Sequence, residues 1–324
     1  MIISKTPLRL SLFGGGTDLP EFFTQSTGAV VSFTISKYIY VSVNEKFDGR
    51  TRVSYSKTEI VDEPWKLEHD LVRETLQRFN LKGLEITSVS DIPGEGSGLG
   101  SSSAFMVGLV AALSAHKGEN QNAHPYVFAQ LAYEIERNDC GHPVGKQDHY
   151  AVAHGGLRYY QFDPDGWVST APIPLSPDLR CFLEEHIMLF WTGKTRSANG
   201  ILREQAHNMT ETRPYDNALC LVDFAQAARQ MLEDGYFDEL GEMMDRSWYY
   251  KQQLAQVSTD EIDLIYHKAK LAGAQGGKLC GAGGGGFLML IADPKVQKEV
   301  EGAVGLRRVP FKAEERGSHI VYKS

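Results

Sequence analysis

Cysteine is scarce in this sequence. Only Cys140, Cys181, Cys220 and Cys280 occur among 324 residues. They are far apart and form no CxxC, which disfavours a disulfide framework or a zinc ribbon and reads as the reduced thiols of a cytosolic protein. A basic excess is lacking as well: 33 Lys and Arg stand against 41 Asp and Glu, for a formal net charge of −8. That balance argues against a nucleic-acid partner, which calls for a basic stripe. It leaves room for a small anionic substrate held by a few local cations. Long apolar runs are missing: the longest, Ala104 to Ala115, is broken by Gly108 and Ser114 and is too short to span a bilayer, so no membrane partner is expected. The opening stretch does not read as a signal peptide, because Lys5 and Arg9 interrupt its apolar residues. With 42% hydrophobic and 23% charged residues, bulk disorder is excluded.

What the chain has in quantity is glycine, 32 residues in clusters. Length predicts about two domains. Strand-like stretches at Ile2–Leu12, Ala29–Thr34, Tyr38–Glu45, Leu84–Ser90 and Gly155–Phe162 alternate with helical patterns at Leu67–Phe79, Phe105–His116 and Tyr126–Arg137. A turn at Asp163–Gly166, followed by Pro172, Pro174 and Pro177, marks a junction. The predicted division is an N-terminal domain over 1–170 and a C-terminal domain over 171–324. In the second, His186–Trp191 and Phe287–Ala292 read as strands and Asn217–Leu232 and Phe237–Leu254 as helices. Ser258 reads as the N-cap of a capping box with Glu261, starting a helix to Leu271, and a short helix is expected from Pro294. Strands mixed with helices in both halves predict an α+β architecture.

The most informative stretch is Pro93–Ala104, PGEGSGLGSSSA. Alternating glycines let a backbone approach a phosphate closely, and the helix opened by the serines offers free N–H groups and a positive dipole end. Two better-known phosphate motifs fail. Gly193-Lys194-Thr195 ends like a Walker A, but the first glycine would fall at Met188. Gly281, Gly283 and Gly286 match GxGxxG, but a strand-like FLMLI follows instead of a helix. Cys140, His142, His149 and His154 lie close in sequence, yet their irregular spacing does not suit zinc.

PGEGSGLGSSSA resembles the second motif of the GHMP kinases. Pro7–Asp18, PLRLSLFGGGTD, resembles the first and Lys278–Phe287, KLCGAGGGGF, the third, in the family's order. Within the family, the GGG of the first motif resembles bacterial kinases of D-glycero-D-manno-heptose 7-phosphate and fucokinase-like proteins. Tyr133–Arg137, Lys146-Gln147-Asp148 and Trp191–Arg196 fit that subgroup. The resemblance implies a two-domain fold with nucleotide and substrate in the inter-domain cleft. It implies ATP and Mg2+ as cofactors, a sugar phosphate as partner, and synthesis of a heptose 1,7-bisphosphate for nucleotide-activated heptose.

Residue by residue, the resemblance makes Gly96, Ser97, Gly98, Leu99, Gly100, Ser101 and Ser102 the phosphate cradle. Ser101 and Glu136 become the metal ligands. Asp148 faces the acceptor hydroxyl as general base, and Arg9 pairs with it and stabilises the transferring phosphoryl. Asp18, with Gly16 and Thr17, would hold sugar hydroxyls, and Gly283 and Gly284 would bring backbone to the substrate. Lys194, Arg196 and Arg203, near a strand-to-helix turn, are candidates for a second substrate phosphate, Arg being suited to bidentate contact. Trp65 is a candidate for adenine. The alternatives are an anomeric kinase of an unphosphorylated sugar such as L-fucose, and a non-catalytic sugar-binding protein on the same fold. The presence of Asp148, Glu136, Ser101 and Arg9 argues against the latter.

Overall fold

A computed structural model describes residues 1–94, 96–119, 124–195 and 198–324. The strand Ile2–Phe13 is buried along most of its length and runs antiparallel to Gly28–Glu45, with Ile2 opposite Val43 and Phe13 opposite Val31. The two strands expected over 29–45 are one. The register shifts after Pro7, where the ring removes a donor, and the long strand carries on past polar Ser36 and Lys37 because Ser36 N–H finds the Lys312 carbonyl at 2.8 Å. The far side of this strand is shared. Leu84–Ser90 pairs with its second half and Leu157–Phe162 with its first. An unexpected hairpin, Thr51–Ser54 and Thr58–Val61, extends the sheet beyond Leu84–Ser90, and Val168–Pro172 extends it beyond Leu157–Phe162.

The chain then changes sheets. Helix Pro177–His186, capped by Ser176, leads into Ile187–Trp191. That strand belongs to a second, antiparallel sheet ordered Arg307–Arg308, Ile187–Trp191, Phe287–Ile291, Gly276–Leu279. After it, the chain returns. Ala313–Glu314 pairs with Thr34 and Ile35, and His319–Lys323 adds an edge strand beside Ile2–Lys5.

Helix Ser101–His116 lies on the first two strands and is buried on nearly every side, which explains its apolar, non-amphipathic sequence. The helix expected to reach Arg137 instead ends at Glu134 and continues as a π-helical turn, Ile135–Asp139, with Glu136 buried. Such turns concentrate at functional sites. Helix Gln147–His154 was not expected; six of its eight residues are buried, so it shows no polar face to read. Two longer helices join the halves: Thr212–Asp234 packs on Gly28–Glu45, and Leu240–Gln252 packs on Gly276–Leu279 and on the first strand. The expected cap shifts by one residue. Thr259 accepts from Ile262 N–H at 3.4 Å, while Ser258 donates to Asp263 at 2.6 Å. The short helix expected from Pro294 starts at Gln297. No helix among the described residues is long and apolar enough to cross a membrane.

The returning tail seats at Gly155, whose φ is +72° and ψ 174°, a region essentially closed to other residues. A Cβ there would stand 2.2 Å from Gly317 N. Gly155→Ala is expected to cost at least about 1–3 kcal/mol and to lower the thermal unfolding temperature, with exchange protection lost first in the tail strand; calorimetry and hydrogen exchange check this.

Candidate active site

The three glycine motifs meet at one open cavity of about 890 Å3. The loop before helix Ser101–His116 is bent by left-handed Gly96, Gly98 and Gly100. Gly100 is the helix N-cap, and no side chain caps it. The first turn therefore keeps its N–H groups and dipole for a ligand, with Ser101, Ser102 and Ser103 lining the cavity. The third motif clamps the loop from behind. Phe287 N–H donates to the Ser97 carbonyl at 3.1 Å, and a Cβ on Gly98 would lie 2.3 Å from the Cys280 carbonyl. Leu99 is fully buried behind the cradle, and its carbonyl accepts from Arg9 N–H at 3.1 Å.

Arg9, 1% exposed, forms a bidentate pair with Asp148: Nε to Oδ1 at 2.8 Å and Nη2 to Oδ2 at 2.7 Å. Its third nitrogen donates to the Gly98 carbonyl at 2.7 Å. Both Arg9 and Asp148 line the cavity, so the cradle and the expected base are held by one guanidinium. Asp18 stands close by. Its two oxygens accept from Gly16 N–H at 3.0 Å and Gln147 N–H at 3.1 Å. Burial, then the negative charge of Asp148, pushes Asp18 above the usual carboxylate range, against those N–H groups and Lys251.

Glu136 is buried, with Ser102 donating to Oε1 at 2.7 Å, His149 Nε2 at 2.7 Å from Oε2 and His142 Nδ1 at 3.8 Å from Oε1. Burial works to raise its pKa, but these neighbours outweigh it and hold Glu136 down at about 2. Here the structure departs from expectation. Ser102, not Ser101, meets Glu136; Ser101 Oγ instead lies 2.8 Å from Ser97 Oγ, because consecutive helical residues point about 100° apart. A buried ionised carboxylate and a hydroxyl beside the phosphate cradle are the hard oxygen donors that Mg2+ takes. His142 and His149 thus converge on Glu136, while His154 Nδ1 turns away to the Tyr150 carbonyl at 2.9 Å.

The remaining candidates divide. Gly16 lines the cavity. Thr17 is fully buried, with its hydroxyl 2.8 Å from the Gly14 carbonyl and 3.0 Å from that of Ala29, so it holds the turn. Gly283 and Gly284 pack on Val257; the third motif reaches the cavity wall through Lys278, Gly281 and Ala282 instead. Lys194 is 59% exposed and pairs with Glu261, Arg203 is exposed, and Arg196 lies outside the described residues. Trp65 is 63% exposed, with Lys66 Nζ 5.2 Å from its ring centre, and is not among the lining residues. The lining rings include Tyr55, His69 and Phe105, with His69 between the other two at 4.6 and 5.5 Å between ring centres.

Two lining lysines were not anticipated. Lys251 and Lys278 are each 5% exposed. Burial lowers Lys251 to about 8, opposed by Asp18 and Asp148. Burial, with Lys251 and Arg9 nearby, lowers Lys278 to about 7. Lys278 opens the third motif and could have been read from it. Lys251 sits in a helix with no motif around it.

Comparison with known proteins identifies the family. The GHMP kinases N terminal domain matches residues 67–156 and the GHMP kinases C terminal domain residues 225–307. A D-glycero-alpha-D-manno-heptose 7-phosphate kinase of Campylobacter jejuni is 32% identical over 307 residues, 90% of each chain. A crystal structure of a D-glycero-D-manno-heptose 1-phosphate kinase from Bacteroides thetaiotaomicron superposes with a TM-score of 0.80 at 26% identity, covering all of both chains. A putative sugar kinase of Campylobacter jejuni gives 0.76 at 28% identity, covering 98% of this chain and 97% of that one. With its two-sheet α+β architecture, its glycine-lined phosphate cradle and these relatives, the chain belongs to the GHMP kinases, and its activity is that of an ATP-dependent sugar kinase.

Proposed function

We propose that this protein transfers the γ-phosphoryl group of ATP to the anomeric hydroxyl of D-glycero-D-manno-heptose 7-phosphate, giving the 1,7-bisphosphate for nucleotide-activated heptose synthesis. The observation that carries the chemistry is the bidentate Arg9–Asp148 pair anchored to the phosphate loop through Gly98. The substrate is supported by the likeness to the Campylobacter heptose 7-phosphate kinase over 90% of each chain. Bifunctional fucokinases of Arabidopsis thaliana and Bacteroides fragilis are less similar, at 26% and 25% identity over 30% and 36% of their own length. The four free thiols fit a reducing, cytoplasmic setting.

In this reading the loop over 96–102 cradles the triphosphate by backbone N–H groups and the helix dipole. Tyr55, His69 and Phe105 offer the flat faces that suit adenine. Glu136 and Ser102 would hold Mg2+, which neutralises charge on the β- and γ-phosphates. Asp18 accepts hydrogen bonds from sugar hydroxyls, with Gly16 allowing the approach. Asp148 orients the anomeric hydroxyl and takes its proton as the new P–O bond forms and the bond to the leaving ADP oxygen breaks. Arg9 fixes the Asp148 carboxylate in the plane of the guanidinium and lies beside the γ-phosphate's path. Transfer of this kind depends on positioning and charge more than on covalent chemistry.

Asp148→Asn is expected to lower kcat by about 10²–10⁴ while leaving ATP-induced thermal stabilisation intact. An ADP-release assay over heptose 7-phosphate, the unphosphorylated heptose, L-fucose, galactose and mevalonate checks both residue and substrate; preference for any sugar other than the heptose 7-phosphate would overturn the substrate assignment. Glu136→Gln is expected to raise the Mg2+ concentration needed for half-maximal rate, read from a metal titration at saturating ATP.

A further inference from the structure

The cavity holds cations that phosphoryl transfer does not use. Three of its lining side chains are Arg or Lys, namely Arg9, Lys251 and Lys278, and Arg9 is committed to Asp148 and the loop. Of the candidates offered by the sequence, Lys194 faces Glu261 at the surface, Arg203 is exposed and Arg196 lies outside the described residues. Lys251 reaches from the last turn of Leu240–Gln252 into the first glycine motif. Its Nζ donates to the Gly15 carbonyl at 2.8 Å and to Gln205 Oε1 at 3.2 Å. Lys278 meets a single acceptor, the Leu12 carbonyl, at 3.4 Å. Among the described residues neither has a carboxylate within 4.0 Å. Each ammonium carries three N–H donors, so both keep donors in hand beside the cavity.

Two like charges buried near one another without a direct counter-ion are unfavourable, and a dianion arriving between them and the cavity removes that penalty. Resting on the function proposed above, we infer that Lys251 and Lys278 form the anion subsite that holds the acceptor's own phosphate, the group that is not transferred. Lys251 stands next to Gly16, where a glycine Cβ would meet its Nζ at 2.9 Å, and so at the turn that carries Asp18. Sugar hydroxyls on Asp18 and a terminal phosphate on Lys251 are then read by adjacent groups. Gln205, itself fully buried, holds the ammonium in place and leaves its remaining donor for the ligand. Lys278 supplies the second charge from the strand below. The lowered lysine pKa values fit the same picture, because an anion restores the charged form that burial disfavours.

The test compares heptose 7-phosphate with the unphosphorylated heptose as acceptors for the wild type, Lys251→Met, Lys278→Met and Lys251→Arg. Loss of a hydrogen bond to a charged group predicts a KM for the heptose 7-phosphate raised roughly 10–100-fold in each Met variant. The KM for ATP and the kcat/KM on the unphosphorylated heptose should stay within a few-fold of wild type, and Lys251→Arg should recover most of the lost affinity. ATP-induced thermal stabilisation checks that each variant is folded. Should the Met variants lose activity equally on both sugars, or lose none, the anion subsite is overturned while the kinase assignment stands. A wild type that does not discriminate between the two sugars would instead overturn the substrate assignment and the subsite with it.

Discussion

The whole arrangement turns on one buried guanidinium. Arg9 comes from the middle of the first strand, its carboxylate partner from the first turn of a short helix, and its third contact from the phosphate loop. An arginine can do this because its planar fork serves a carboxylate with one edge and a carbonyl with the other; a lysine presents a single point of charge. Removing Asp148 would leave the buried Arg9 charge without its carboxylate, a loss of about 3–5 kcal/mol for a fully buried pair. The interaction that positions Asp148 is therefore also one that ties the loop to the first strand.

The same economy recurs between the two sheets. The glycine run of the third motif has the look of a ligand loop, yet its contacts are mostly to protein. Gly286 lies against the Ser97 and Gly96 carbonyls and Gly281 against Gly98, closer than any side chain permits. The second sheet thus shapes the loop of the first, and the bent backbone that receives phosphate is stabilised by packing that exists before any ligand binds. Preformed donors of this kind cost no reorganisation when charge shifts during transfer.

Much of this was legible because the chemistry imposes local patterns. A phosphate cradle needs alternating glycines and a helix start, and these stand in twelve consecutive residues. Arg9 and Asp18 sit in the first glycine motif, whereas Glu136 and Asp148 were candidates only through the family resemblance of the segments around them. What escaped depends on contacts distant in sequence. Helix Gln147–His154 is too buried to show amphipathic spacing. Which serine meets Glu136 is decided by a rotation of one residue around a helix. Lys251 lies at the end of an ordinary helix, and only the approach of that helix to Gly15 makes it part of the site. Lys194 looked free from sequence, but Glu261, in a helix far along the chain, takes its charge.

The edge strand His319–Lys323 completes the sheet that carries Arg9, although its partner Ile2–Lys5 lies far earlier in the chain. Until that later strand arrives, the strand carrying Arg9 has an open flank. An unpaired strand edge of that kind is a template for wrong partners. That edge must stay unoccupied while the second sheet, which lies between the two strands in sequence, is formed, so this sheet closes late.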